Sequence, residues 1–338
     1  MIITLLAPSA CTSKGVALAD DTAVPTEPDT ATTPTDTTTN DTDTTPTNDP
    51  AVDDDGDGLS EDAGDCDDTN GSWTETCPWT RVSVGYANAC GLRSNGALAC
   101  WGSDYFALNA APDGTFTDVS VSYDHACAVE ASGEVVCWGT DSGYGGLDTP
   151  DGLFVAVDAG SYGNCGVRDD GDVACWGYPW KTTEVVYASE AYTTVALSAY
   201  TLCALSTDAT VRCQSTYGGT IGDFTGDDYV DMDLGYLAFA VGADGRIDSE
   251  GEDTYDYGLA DVPDGVWTEV STYSATACAA NADGEIACWG DDSYGQGSPP
   301  SGKFGYHGVS VGAAAGCALT GDGNLLCWGW DGYGGEGP

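Results

Sequence analysis

Apolar residues between Trp79 and Pro338 come in short bursts separated by glycine-rich turns. Val119-Ser-Val121 alternates apolar and polar positions, and Cys127-Ala-Val129 does the same. The turn Ala131-Ser-Gly133 follows, then the apolar run Val135–Trp138. Alternation with a period of two marks half-buried strands. The three segments therefore predict three strands, the last two joined as a hairpin. A three-residue loop with glycine third fits a type I turn closed by a G1 bulge. Matching first strands begin at Val82-Ser-Val84, Val155-Ala-Val157 and Val309-Ser-Val311, and matching turns end at Gly96, Gly171, Gly284 and Gly323. The fourth repeat departs, with Ala209 in the glycine position.

The unit recurs. Its first cysteine stands at Cys90, Cys127, Cys165, Cys203, Cys278 and Cys317, with Phe239 in the fifth slot. The steps are 37, 38, 38, 36, 39 and 39 residues, a spacing that marks a repeat architecture. The expected fold class is all-β: a seven-bladed β-propeller spanning 79–338. The strand at Val82–Val84 is expected to complete the final blade, leaving no open edge. A tryptophan closes five repeats, at Trp101, Trp138, Trp176, Trp289 and Trp328, with Gln214 and Glu250 in the other two. Alternation puts it on the opposite face from the neighbouring cysteine, where packing between repeats is its expected role.

Each first cysteine has a second ten positions on: Cys100, Cys137, Cys175, Cys213, Cys288 and Cys327. The hairpin sets the two directly opposite each other, so each pair can bridge neighbouring strands. A bridge closing so short a loop contributes on the order of 2–3 kcal/mol. The fifth repeat replaces both partners together, by Phe239 and Ser249. The total of 15 cysteines then resolves into six hairpin pairs, a pair at Cys66 and Cys77, and Cys11 alone. Such usage points to an oxidising compartment.

Charge narrows the partners. The chain carries 55 acidic and 8 basic residues, a net charge of −47. Phosphate recognition needs clustered Lys and Arg, so nucleic acid is excluded, as is charge-driven binding to an anionic membrane.

The segments before the repeats are of different kinds. Residues 1–10 form a short apolar stretch ending in small residues before Cys11, and this resembles the tail of a bacterial lipoprotein signal. That resemblance implies lipidation at Cys11, so that the membrane is met only through the anchor, and a place on the outer surface of a bacterial cell. Residues 11–52, rich in Thr, Asp and Pro, are expected to be a disordered acidic linker. Residues 53–78 are Asp-rich. Asp53, Asp55 and Asp57 alternate ahead of Gly58, the opening of a calcium loop, with the Leu59 carbonyl, Glu61 and Asp65 as further ligands. The run is similar to thrombospondin type-3 repeats, which implies structural calcium in a loop stapled by Cys66–Cys77.

The pattern Gly-x-x-x-x-x-Cys-x-Leu, then Gly-x-Leu-x-Cys-Trp-Gly, resembles the RCC1-like superfamily over residues 79–338. That superfamily includes the regulator of chromosome condensation and a secreted β-lactamase-inhibitor propeller. Secreted members imply protein binding through loops on a propeller face.

Catalytic chemistry is not legible. The two histidines, His125 and His307, have no matched nucleophile nearby in sequence, and His125 is expected to bond the backbone of a neighbouring blade. No phosphate-cradling loop and no His-Glu-x-x-His motif occurs. Asp227-Asp228 and Asp291-Asp292 are carboxylate pairs of the kind that arise by chance in so acidic a chain. The stretch Tyr217–Asp233 reads as a variable connector, the alternative being a contact patch of Tyr217, Phe224 and Tyr229. The expected function is a non-enzymatic, monomeric, surface-anchored module that binds an extracellular protein. A glycan-binding or glycan-cleaving protein and a structural surface component are the alternatives.

Overall fold

The computed structural model describes residues 77–103, 105–140, 143–180, 184–188, 190–215, 224–226, 228–251, 257–301 and 307–330. The calcium-loop residues, Cys11, Cys66, Tyr217 and Asp227 lie outside them.

Seven antiparallel sheets follow one another along the chain, and among the described residues strand pairing stays within each sheet. Their first strands are Trp79–Val84, Phe116–Val121, Phe154–Ala159, Tyr192–Leu197, Tyr229–Leu234, Glu269–Tyr273 and His307–Val311. Each first strand packs against the next, and the seventh packs against the first, so the sheets close into a ring. All seven line one central channel. Six sheets have three strands, while the third gains an outer strand, Glu184–Tyr187. The molecule is a seven-bladed β-propeller of all-β structure. Among the described residues no helix is long and apolar enough to cross a membrane.

The cysteine register is as the hairpin demands. Cys127 faces Cys137, with the same pairing in five other blades, and the six bridges span Cα–Cα distances of 4.0–4.1 Å. Cys77 is also disulfide-bonded, to a residue outside those described. In the fifth blade Phe239 faces Ser249. Its ring fills the cysteine's place and meets Trp289 edge-on at 5.5 Å.

The core is distributed between blades. Among the described residues the buried apolar side chains form seven clusters, one at each boundary between neighbouring blades. The repeat tryptophans sit in these boundaries. Trp138, Trp176, Trp289 and Trp328 donate their indole N–H to the carbonyls of Leu108, Gly146, Leu259 and Gln296. Each thereby pins the connector that leads into its own blade, as expected of a packing residue.

Closure differs from expectation. The strand Trp79–Val84 is the innermost strand of the first blade and pairs with Asn88–Arg93; it does not complete the last blade. The ends meet through single hydrogen bonds instead. Trp79 N donates to the Gly323 carbonyl at 2.8 Å, Ala313 N to the Gly85 carbonyl at 3.2 Å, and Val84 N to Ser310 Oγ at 2.9 Å.

Candidate binding site at the channel mouth

One position in each first strand lies opposite the first cysteine slot, and in six of the seven blades it lines the channel. In chain order it holds Ser83, Ser120, Asp158, Ala196, Asp233, Ser271 and Ser310. Six of these side chains form a belt, each accepting from a backbone N–H of the following blade. Val121 N donates to Ser83, Ala159 N to Ser120, Leu197 N to Asp158, Thr272 N to Asp233 and Val311 N to Ser271. Ala196 has no oxygen to offer, so Leu234 N turns to its neighbour Asp233 Oδ1 at 2.7 Å. Asp233 thus serves two amide donors, one in its own blade and one in the next.

Acids two residues earlier in the strand make a second, partial layer. Asp118 accepts from Val157 N, Asp231 from Val270 N, and Glu269 from Gly308 N. Arg81 pairs with Asp118 at 2.7 Å. Burial pushes all of these carboxyls up. Asp158 is raised to about 7 by burial, with the charges of Asp233 and Asp118 adding to it. Burial raises Asp231 to about 7 and Asp233 to about 6. Asp118 and Glu269 are also raised, chiefly by burial.

The belt is the floor of a cavity of about 570 Å³. Serine and threonine hydroxyls surround the floor, and tyrosines form the rim. Tyr86, Tyr200, Tyr236 and Tyr273 line the cavity. The rim continues outward through ring contacts. Tyr86 touches Tyr123, Tyr200 touches Tyr162, and Tyr236 touches Tyr257. Tyr86, Tyr123, Tyr200 and Tyr236 are 38–51% exposed, so these rings present part of their surface to solvent. Burial raises Tyr273, with the neighbouring Tyr86 and Tyr123 adding to it. The result is a concave aromatic mouth above a polar, acidic floor.

The rim was readable and was missed. A tyrosine stands three to five positions before the first cysteine slot in six repeats: Tyr86, Tyr123, Tyr162, Tyr200, Tyr236 and Tyr273. The floor was harder to find, because Asp158 and Asp233 occupy a slot that is serine in four other blades.

Other candidates fall into structural roles. His125 is buried, with Nδ1 2.9 Å from Asp124 Oδ1 and Nε2 2.7 Å from Asn164 Oδ1. It does reach the next blade, but through the Asn164 side chain and not the backbone. Asn164 in turn donates to the Gly146 carbonyl at 2.8 Å. With both ring nitrogens engaged, neither serves as a base. His307 opens the seventh blade's first strand. Asp291 accepts from Ser293 and Gln296, and Asp292 from Gly297 N and Ser298, so this pair stitches its own loop. Phe224 and Tyr229 are buried between blades four and five, which ends their candidacy as a contact patch. Tyr229 donates to Asp248 at 2.9 Å.

Residues 116–145 and 267–296 match the regulator of chromosome condensation (RCC1) repeat. Each stretch opens at or just before a first strand and runs across a whole blade. Two of the seven blades thus carry RCC1-type repeats. Among solved structures it is similar to the CRINKLY WD40 ectodomain of the receptor kinase ACR4 from Arabidopsis thaliana, at 21% identity and a TM-score of 0.62, over 75% of this chain and 96% of that one. The ectodomain of the Physcomitrella patens receptor kinase CR4 matches at 20% identity and 0.60, over 75% and 74%. The C-terminal domain of gp131 from bacteriophage phiKZ matches at 11% and 0.51, over 78% and 94%. At these identities the likeness is one of fold. No curated protein matches the sequence. Within this propeller the tyrosine-rimmed mouth is where concave and aromatic surface coincide.

Proposed function

We propose that this protein is a non-enzymatic extracellular binding module whose channel mouth receives an external partner. The observation that carries the proposal is the ring of part-exposed tyrosines around a cavity of about 570 Å³. A concave site of this size, apolar at the rim and polar at depth, suits a ligand or a protruding side chain. Tyrosine offers a rigid apolar body with a hydroxyl at its tip, which suits a protein surface and a glycan alike. A place outside the cytosol is supported by the six disulfides, which cytosolic thiol chemistry does not sustain. The channel carboxylates hold blades together through backbone N–H groups, a structural task that sets them apart from a catalytic pair.

The N-terminal features complete the proposal. Lipidation at Cys11 would tether the chain, and residues 11–52 would space the ring from the surface. The loop from Asp53 to Asp65 would take a structural calcium ion; calorimetry should detect it and Asp55→Asn should weaken it.

The test is a panel of secreted proteins and glycans screened against the oxidised full chain and a Tyr200→Ala/Tyr236→Ala variant. A genuine partner should lose about tenfold or more in affinity, about 1.4 kcal/mol, while the variant's melting temperature holds. Partners that bind both proteins equally would place recognition elsewhere. Hits confined to glycans would favour the carbohydrate alternative.

A further inference from the structure

The floor of the cavity holds two carboxylates that nothing in the wall neutralises. Asp158 and Asp233 come from blades three and five, and the charge of Asp233 bears on Asp158. Among the described residues no Lys, Arg or His lines the cavity. The guanidinium of Arg81 in the first blade is paired with Asp118 of the second. The donors present are neutral: Ser120 Oγ and Leu197 N for Asp158, and Leu234 N, Thr272 N and the Ser271 hydroxyl for Asp233. An ionised carboxylate has about four lone-pair sites, so these donors satisfy it only in part. Above the floor, tyrosine faces attract cations through their ring quadrupole and give an alkyl chain an apolar wall.

We infer that the cavity binds an alkylammonium group, with its charged head between Asp158 and Asp233 and its hydrocarbon stem against Tyr200 and Tyr236. The inference rests on the mouth being the binding site, as proposed above. Depth fits the ligand. Tyr236 lies three positions beyond Asp233, at most about 10 Å of extended chain, within reach of a lysine side chain or a short diamine. A bare divalent ion fits less well. Among the described residues no three His, Cys, Asp or Glu side chains converge, whereas calcium takes six to eight oxygens. The net charge of −47 concentrates cations around the molecule before any contact is made.

Binding should be coupled to protons. The head group requires ionised carboxylates, while burial holds Asp158 up to about 7 and Asp233 to about 6. The ionisable groups facing the pair are Asp118 and Asp231, with Arg81 offsetting the former. The affinity should therefore rise with pH from about 5 to about 8.

Calorimetry on the oxidised full chain tests this with 1,5-diaminopentane, a lysine-bearing peptide, calcium chloride and a neutral disaccharide. The amines should bind at one site, weaken about tenfold in Asp158→Asn, and weaken about tenfold between pH 8 and pH 5. Tighter binding of the peptide would assign the ammonium to a partner's lysine, and tighter binding of the diamine to a free amine; both support the inference. Should Asp158→Asn fail to melt cooperatively, the pH series on the unmodified chain decides. Silence from both amines, or amine binding indifferent to pH and to Asp158→Asn, overturns it. Disaccharide binding lost in Tyr236→Ala but kept in Asp158→Asn would overturn the cation while leaving the mouth in place. No dependence on Tyr236 for any probe would remove both.

Discussion

The acids around the channel are held away from their usual titration range by burial, and stability should follow. A carboxyl raised in the folded chain binds its proton more tightly there than in the unfolded chain. Its contribution is complete below the unfolded value near 3.8 and is lost as pH rises through the folded one. For Asp158, Asp231 and Asp233 that window runs from about 4 to about 7. Denaturant titrations should give a larger unfolding free energy at about pH 4.5 than at about pH 7.5, and Asp158→Asn should flatten the slope. A rise in stability across the same interval would contradict the assignment of burial as the dominant cause. The residue scale was the least legible in the sequence. In a chain with 55 acids, nothing local distinguishes the few that face an axis. Only stacking seven repeats makes the slot shared by Ser83, Asp158 and Ser310 visible.

The hairpin carries most of what the sequence did reveal. Cysteine spacing, turn length and strand alternation all follow from one local geometry, so strand order and disulfides could be derived before any tertiary contact. The turn glycines confirm it, with φ of 78–91° at Gly96, Gly133, Gly171, Gly245, Gly284 and Gly323. Ala209 holds the same left-handed conformation at φ 60°, because its carbonyl must accept from Tyr229 N in the next blade. A side chain there costs about 1 kcal/mol, so Ala209→Gly should stabilise the chain by about that amount in chemical denaturation. The fifth blade shows the opposite exchange, an aromatic ring in place of a covalent bridge. Phe239 is fully buried against Trp289 and Trp267, and Phe239→Ala should cost about 3–5 kcal/mol. What the hairpin could not reveal was the fourth strand of the third blade, which lies in a connector without the repeat's alternation.

At the scale of the whole ring, the repeat count was legible and the closure was not. A first strand adjacent to the last blade in space reads, in sequence, like a strand that joins it. The distinction rests on pairing partners, and Trp79–Val84 pairs with its own successor. The junction between blades seven and one then resembles that between blades one and two: a belt bond, a turn-carbonyl bond and an apolar cluster. Ser310→Ala should leave Val84 N without its acceptor and cost about 1–3 kcal/mol, measurable as a lowered denaturant midpoint. Among the described residues no blade borrows a strand from another, so the ring has no privileged seam. Circular permutants of the ring opened in any inter-blade connector, with a linker joining Trp330 to Cys77, should assemble the same wheel and keep the same mouth.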